Sequence, residues 1–149
     1  MINDSIKLTG NLDIVVRDSD GNIKEQRQER NLVVTAGLGF IASRMKDTTD
    51  DAMTHMAVGS DNTAAAAGNT DLGSILGSRE ALDSTTVSGA TVTYVSTFEA
   101  GDGTGAITEA GIFNAASSGN MLCRTVFSTV NKAADDTMTI TWVITLSAS

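Results

Sequence analysis

The run MTITWVITL, from Met138 to Leu146, constrains the fold more than any other stretch of the chain. Its large apolar side chains Met138, Ile140, Trp142, Ile144 and Leu146 recur at every second residue, with Thr139, Thr141 and Thr145 between them. Such alternation sets one group of side chains against a core and the other on the opposite face, as in an antiparallel sheet packed on one side. A core strand is therefore expected over these residues.

The same period recurs upstream. Leu12, Ile14 and Val16 alternate with Asp13, Val15 and Arg17, and Asp20 followed by Gly21 supplies the positive φ angles of a tight hairpin turn. The return segment NIKEQRQERNLVV is charged on both faces in its middle, which is how natural sheets protect an exposed edge. Thr35 then opens TAGLGFIASRMKD, where Leu38, Ile41, Ala42 and Met45 follow helical spacing and Thr35 is the expected N-cap, with two glycines weakening the helix. AMTHMAVG, residues 52–59, reads as a buried strand. After it, residues 60–78, SDNTAAAAGNTDLGSILGS, form a long connection of small and turn-forming residues, of a length that is usually functional or disordered in a compact domain.

From Arg79 onward the chain reads as strand after strand: REALDSTTVS, ATVTYVSTFEA, AITEAGIFNA, MLCRTVFSTVNK and DTMTITWVITLS, joined by the turn chemistry of SGA, GDGTG, SSGN and AADD. Val92, Tyr94 and Phe98 share one face of their strand. Cys123 and Phe127 share one face of theirs, and Leu122, Arg124 and Val126 the other. One short helix and about eight strands predict an all-β architecture, an antiparallel β-sandwich of jelly-roll or related Greek-key connection, as a single domain over residues 1–149. A chain of this length can bury a core without staples.

With only 4% aromatic residues, Val, Ile, Leu and Met must fill that core, and Met53, Met56, Met121 and Met138 are read as its adaptable gap-fillers. Ten basic against 18 acidic residues, a net charge of −8, argue against a nucleic-acid partner, whose phosphates are bound mainly by Lys and Arg. The acid excess favours solubility at high local concentration. Cys123 is the one cysteine and His55 the one histidine, which excludes an internal disulfide and argues against a structural zinc site. The opening MINDSIKLTG lacks a signal peptide's basic start and apolar run, and no stretch approaches the roughly 18 apolar residues of a membrane span. Synthesis in a reducing cytoplasm, with no membrane partner, is the expectation.

Several motifs carry a sharp and a plain reading. Asp18, Asp20 and Asn22 in RDSDGN suggest a calcium loop, but Gly21 comes too early for an EF-hand, so a hairpin turn is expected. GDGTG, residues 101–105, has the glycines of a phosphate cradle but neither a following Lys-Ser/Thr pair nor a helix, and reads as a flexible hairpin loop. His55 and Cys123 lie far apart with no nucleophile signature near either, so no catalytic residue, metal ligand or cofactor is assigned. Glu109 and Arg124 fall on neighbouring predicted strands and are expected to pair across the sheet in a structural role. MINDSIKL is either a frayed end or first strand, or part of an arm, residues 1–10, that reaches a neighbouring subunit.

Four segments in order, NLVVTAGLGFIASRM, MTHMAVGSDNTAAAAGNTDLGS, ITEAGIFNAASSGNMLCRTVF and TMTITWVITL, cover most of the chain and resemble small structural proteins of tailed bacteriophages. By size and single-domain build the chain looks most like their capsid cement, or head decoration, proteins. One departure is LGSILGSRE, where an acidic residue and then Arg would be expected to follow LGS directly, so the register around Arg79 differs. The resemblance implies a jelly-roll sandwich on the outer surface of a virion, assembled in the bacterial cytoplasm. It would bind a shell of HK97-type major capsid protein and stabilise it against internal DNA pressure. It implies self-association as a homodimer or homotrimer about a local symmetry axis. The expected contact residues are Met1, Ile2, Ile6 and Leu8 of the arm and Asp61, Asn62, Thr63, Leu72, Ile75 and Leu76 of the long loop. The alternatives are a tail or tail-fibre structural or host-recognition component and a small hydrolase. The first lacks shaft repeats and aromatic-rich surfaces here, and the second lacks an arranged nucleophile, base and orienter.

Overall fold

The computed structural model describes residues 4–47 and 50–148. Its elements are β1 (Ile6–Arg17), β2 (Ile23–Arg30), β3 (Leu32–Val33), α1 (Thr35–Lys46), β4 (His55–Gly59), β5 (Glu80–Ala81), β6 (Ser84–Ser88), β7 (Thr91–Phe98), β8 (Gly105–Phe113), β9 (Met121–Lys132) and β10 (Thr137–Ala148). The strands form two five-stranded antiparallel sheets: a front sheet ordered β2-β1-β10-β7-β6 and a back sheet ordered β3-β9-β8-β4-β5. The fold is thus the expected all-β sandwich with one short helix. The chain crosses from β7 to the β8–β9 hairpin and comes back as β10 beside β7, a Greek-key-like return.

Alternation in the sequence becomes burial in the sandwich. Met138, Ile140, Trp142 and Ile144 of β10 lie beside Leu12, Ile14 and Val16 of β1, all buried, and meet Met56, Val58, Ile107, Ala110, Ile112, Cys123, Phe127 and Val130 of the back sheet. Each Val, Leu, Ile, Phe or Met among them contributes roughly 1.5–3 kcal/mol by leaving water. The four methionines read as gap-fillers are buried. Trp142 satisfies its polar edge by donating from Nε1 to Asn31 Oδ1 at 2.9 Å.

Several local expectations change. The segment NIKEQRQERNLVV is not one strand: it forms the charged edge β2, then leaves the front sheet at Asn31 and joins the back sheet as β3. REALDSTTVS likewise divides into β5 at the back and β6 at the front. GDGTG joins strands of different sheets, so it is an arch between layers, not a hairpin loop. RDSDGN is the expected hairpin turn, with Asp18 Oδ1 accepting from the amides of Asp20 and Asn22 at 3.0 Å each.

In α1 the N-cap is Val34 and makes no side-chain cap bond, while the amide of Thr35 donates to the carbonyl of Ala67 at 2.8 Å. The buried helix residues are Gly37 and Phe40, whereas Leu38 and Met45 are 51% and 83% exposed. Packing explains the rotated face. Gly37 rests on the backbone of β9, where an added Cβ would lie 2.0 Å from the carbonyl oxygen of Leu122, so only the glycine side of the helix can approach so closely. From Ile6 onward the opening segment is the first strand, paired with β10 from Ile6 opposite Ala148 to Arg17 opposite Thr137. An arm free of the sheet is limited to the residues before it, and Met1 and Ile2 lie outside the described residues.

Candidate functional site

The back sheet carries a second, smaller core on its outer face, made by Val34, Ala57, Phe113 and Met121 with Ala36 and Leu72 packed against it. The 60–78 connection lies over this face, and the side chain that holds it there is Glu109. Alternation along β8, after an irregularity between Ile107 and Glu109, turns Glu109 outward, away from Ala110 and Ile112 in the main core. Glu109 is 0% exposed. Its Oε2 accepts from the amides of Asp61 at 2.9 Å and Ser74 at 2.8 Å, and its Oε1 from the amide of Gly73 at 2.9 Å and from Arg124 Nε at 3.1 Å. One carboxylate therefore fastens both ends of the loop.

Arg124 supplies the balancing charge from β9, opposite Gly111 of β8. Its Nη1 donates to Asn69 Oδ1 at 3.0 Å, and its Nη2 lies 3.7 Å from Asp61 Oδ2. The backbone adds a Ser60 amide bond to the Ser74 carbonyl at 2.8 Å, a Leu76 amide bond to the Val58 carbonyl at 2.9 Å, and a bridge between Gly59 and Ile75. Gly59 makes this approach possible: a Cβ there would sit 2.3 Å from the Ser74 carbonyl oxygen. Asp61 Oδ1 accepts from the Thr63 amide at 2.9 Å, and this backbone bond, followed by the Thr63 side chain and then Arg124, holds its carboxyl below the usual range.

The far end of the loop is fixed by Arg79. Its guanidinium lies 3.6 Å from the centre of the Phe113 ring, donates to the carbonyls of Ala115 at 2.9 Å and Ser118 at 2.8 Å, and pairs with Asp71 at 3.4 Å. It thereby ties the end of the loop to the β8–β9 turn.

The ten predicted contact residues divide. Asn62, Thr63 and Ile75 are exposed on the loop. Asp61 turns toward Arg124, Leu72 packs on the outer core, and Leu76 packs on the main one, so these three support the loop from beneath. Ile6 and Leu8 lie at the end of β1 in the front sheet, opposite Ala148 and Leu146, on a different layer from the loop. Sequence reasoning paired Glu109 with Arg124 but missed that the pair anchors the loop, and it gave no role to Arg79 or Asn69. The available signal was a lone acid inside the otherwise apolar and small run AITEAGIF.

His55 and Cys123 are not brought together. His55 sits on β4 and Cys123 on β9, with β8 between the two strands. The His55 ring makes a 2.8 Å hydrogen bond with Thr54 Oγ1, and full burial pushes the Cys123 thiol well above its ordinary pKa. Among the described residues no group of three or more His, Cys, Asp or Glu could hold a metal ion. No helix among them is long and apolar enough to cross a membrane. No protein-family model matches the chain, and no curated protein or solved structure matches it.

Proposed function

We propose that this chain is a non-enzymatic virion structural protein, a capsid cement that binds the outer surface of a major capsid shell and resists internal DNA pressure. The observation that supports this reading is the use made of the buried charged groups. Glu109, Arg124 and Arg79 use their hydrogen bonds to fix the surface connection 60–78 to a rigid sheet, an arrangement suited to holding a shape and not to moving a proton. A pre-ordered contact surface loses little entropy when it docks, so more of its contact energy remains for clamping. Asn62, Thr63 and Ile75 form the outward part of that surface, and Asp61, Leu72 and Leu76 back it.

The test is the number of copies per purified virion, by quantitative mass spectrometry against the major capsid protein, with heat challenge before and after stripping the subunit. Near-stoichiometric abundance with earlier DNA loss from stripped particles is the expected result. A handful of copies with unchanged heat resistance would move the protein to the tail.

A further inference from the structure

We infer that β6 is a self-pairing edge, through which two copies of this chain join their front sheets about a two-fold axis. Among the described strands four lie at sheet edges. β2 carries Lys24, Glu25, Arg27, Glu29 and Arg30, and β3 and β5 are two residues long each. Charge and shortness are the ordinary protections of an edge. β6 has neither. Its five residues, STTVS, carry no charge, are all exposed, and pair on one side only, with β7.

The sequence of this edge says what fits it. STTVS reads nearly the same in both directions, so antiparallel pairing centred on Thr86 places Ser84 opposite Ser88 and Thr85 opposite Val87, with Thr86 facing its own copy. Thr–Thr and Thr–Val are favourable cross-strand neighbours. In the same register Asp83 falls opposite Gly89, so no like charges meet at the ends. Val87 and Thr85 lie opposite Val92 and Tyr94 of β7 and thus on the core-facing side of the sheet, yet Val87 is 70% exposed. β6 thus extends past the packed core, and in the paired register Val87 gains Thr85 of the second copy as a cross-strand neighbour. For a chain of net charge −8, a neutral edge is also where two copies meet with least repulsion. The pairing is isologous, so it closes as a dimer and not as a trimer. It deepens the self-association in the proposed function, and it is tested on the free chain, so its failure and the failure of capsid binding are read in separate experiments.

Sedimentation of the full chain from micromolar to millimolar concentration should show a monomer–dimer equilibrium. Thr86→Lys sets like charges face to face and should raise the dissociation constant by about tenfold or more, with an unchanged circular dichroism spectrum. Thr86→Cys should give a disulfide-linked dimer on mild oxidation, because antiparallel partners have Cα atoms about 4.5–5.5 Å apart, within disulfide reach. Ser84→Cys, which faces Ser88, should stay uncrosslinked, and the buried native Cys123 does not compete. A monomer at every concentration overturns the inference, as does a dimer that ignores Thr86→Lys and is not captured by Thr86→Cys.

Discussion

Strand β10 of the front sheet alternates buried and half-buried residues from Thr137 to Ile144, whereas β8 of the back sheet is buried without interruption from Ile107 to Phe113. Both are antiparallel strands in the same sandwich. The difference is that the front sheet has one packed face and the back sheet has two, because the 60–78 loop and the start of α1 at Ala36 pack on its outside, while Phe40 and Ile41 of the helix join the main core. The first face is held by nonspecific burial; the second depends on a few polar contacts that only particular side chains can make. The regions should therefore fail differently.

The largest separation is expected from Glu109→Ala. It leaves the buried Arg124 with only Asp61, at 3.7 Å, as a counter-charge and three loop amides without their acceptor, and removing one partner of a buried pair costs about 3–5 kcal/mol. Beyond lost stability in urea, hydrogen exchange or limited proteolysis should show residues 60–78 opening below the concentration at which the sandwich unfolds. If loop and sandwich still open together, the loop is not an appendage held by this carboxylate. Ile140→Ala is the counterpart in the front sheet. It should cost about 2–5 kcal/mol, yet as one cooperative transition with no early release of the loop.

Gly59→Ala should have a smaller effect, about 1–3 kcal/mol, by pressing a methyl against the Ser74 carbonyl and loosening the loop where it joins β4. Asp136 offers the mildest test, at the end of the sandwich. The Lys24 ammonium at 2.6 Å and the Ala133 amide at 2.8 Å hold its carboxyl below the usual range. A carboxyl so depressed adds stability that is present above its unfolded pKa and is lost as pH falls through the folded value. Asp136→Asn should flatten that acid limb of the stability curve below about pH 4 while leaving the loop's exchange unchanged.

The same contrast governs what could be read from the residues. Front-sheet strands carry period two in plain sight at Leu12, Ile14 and Val16 and along MTITWVITL, and they were found with their core faces. In the back sheet β4, β8 and β9 are legible as strands and the two-residue β3 and β5 are not, and covering both faces erases the alternation that would show where each side chain points. Leu122 shows the loss: grouped with Arg124 by parity, it packs in the main core instead. Of the expected helix face only Ile41 packs on the core, because the surface that docks is centred on Gly37 and Phe40, and helical spacing gives a glycine no weight. The division at Asn31 leaves no local sign, and the bond its side chain accepts there comes from the indole of Trp142, 111 residues away. Glu109 and Arg124 were visible as a pair, but their hold on the loop depends on backbone amides, which no side-chain pattern reports.

The pairing of β1 with β10 begins at Ile6 opposite Ala148, so both ends of the sandwich leave it side by side. Tension drawn through those two points would load the ladder one rung at a time, peeling the strands apart instead of shearing all their bonds at once. A tether on either end would emerge at the same spot, which makes that corner a place to hang cargo and a poor place to pull.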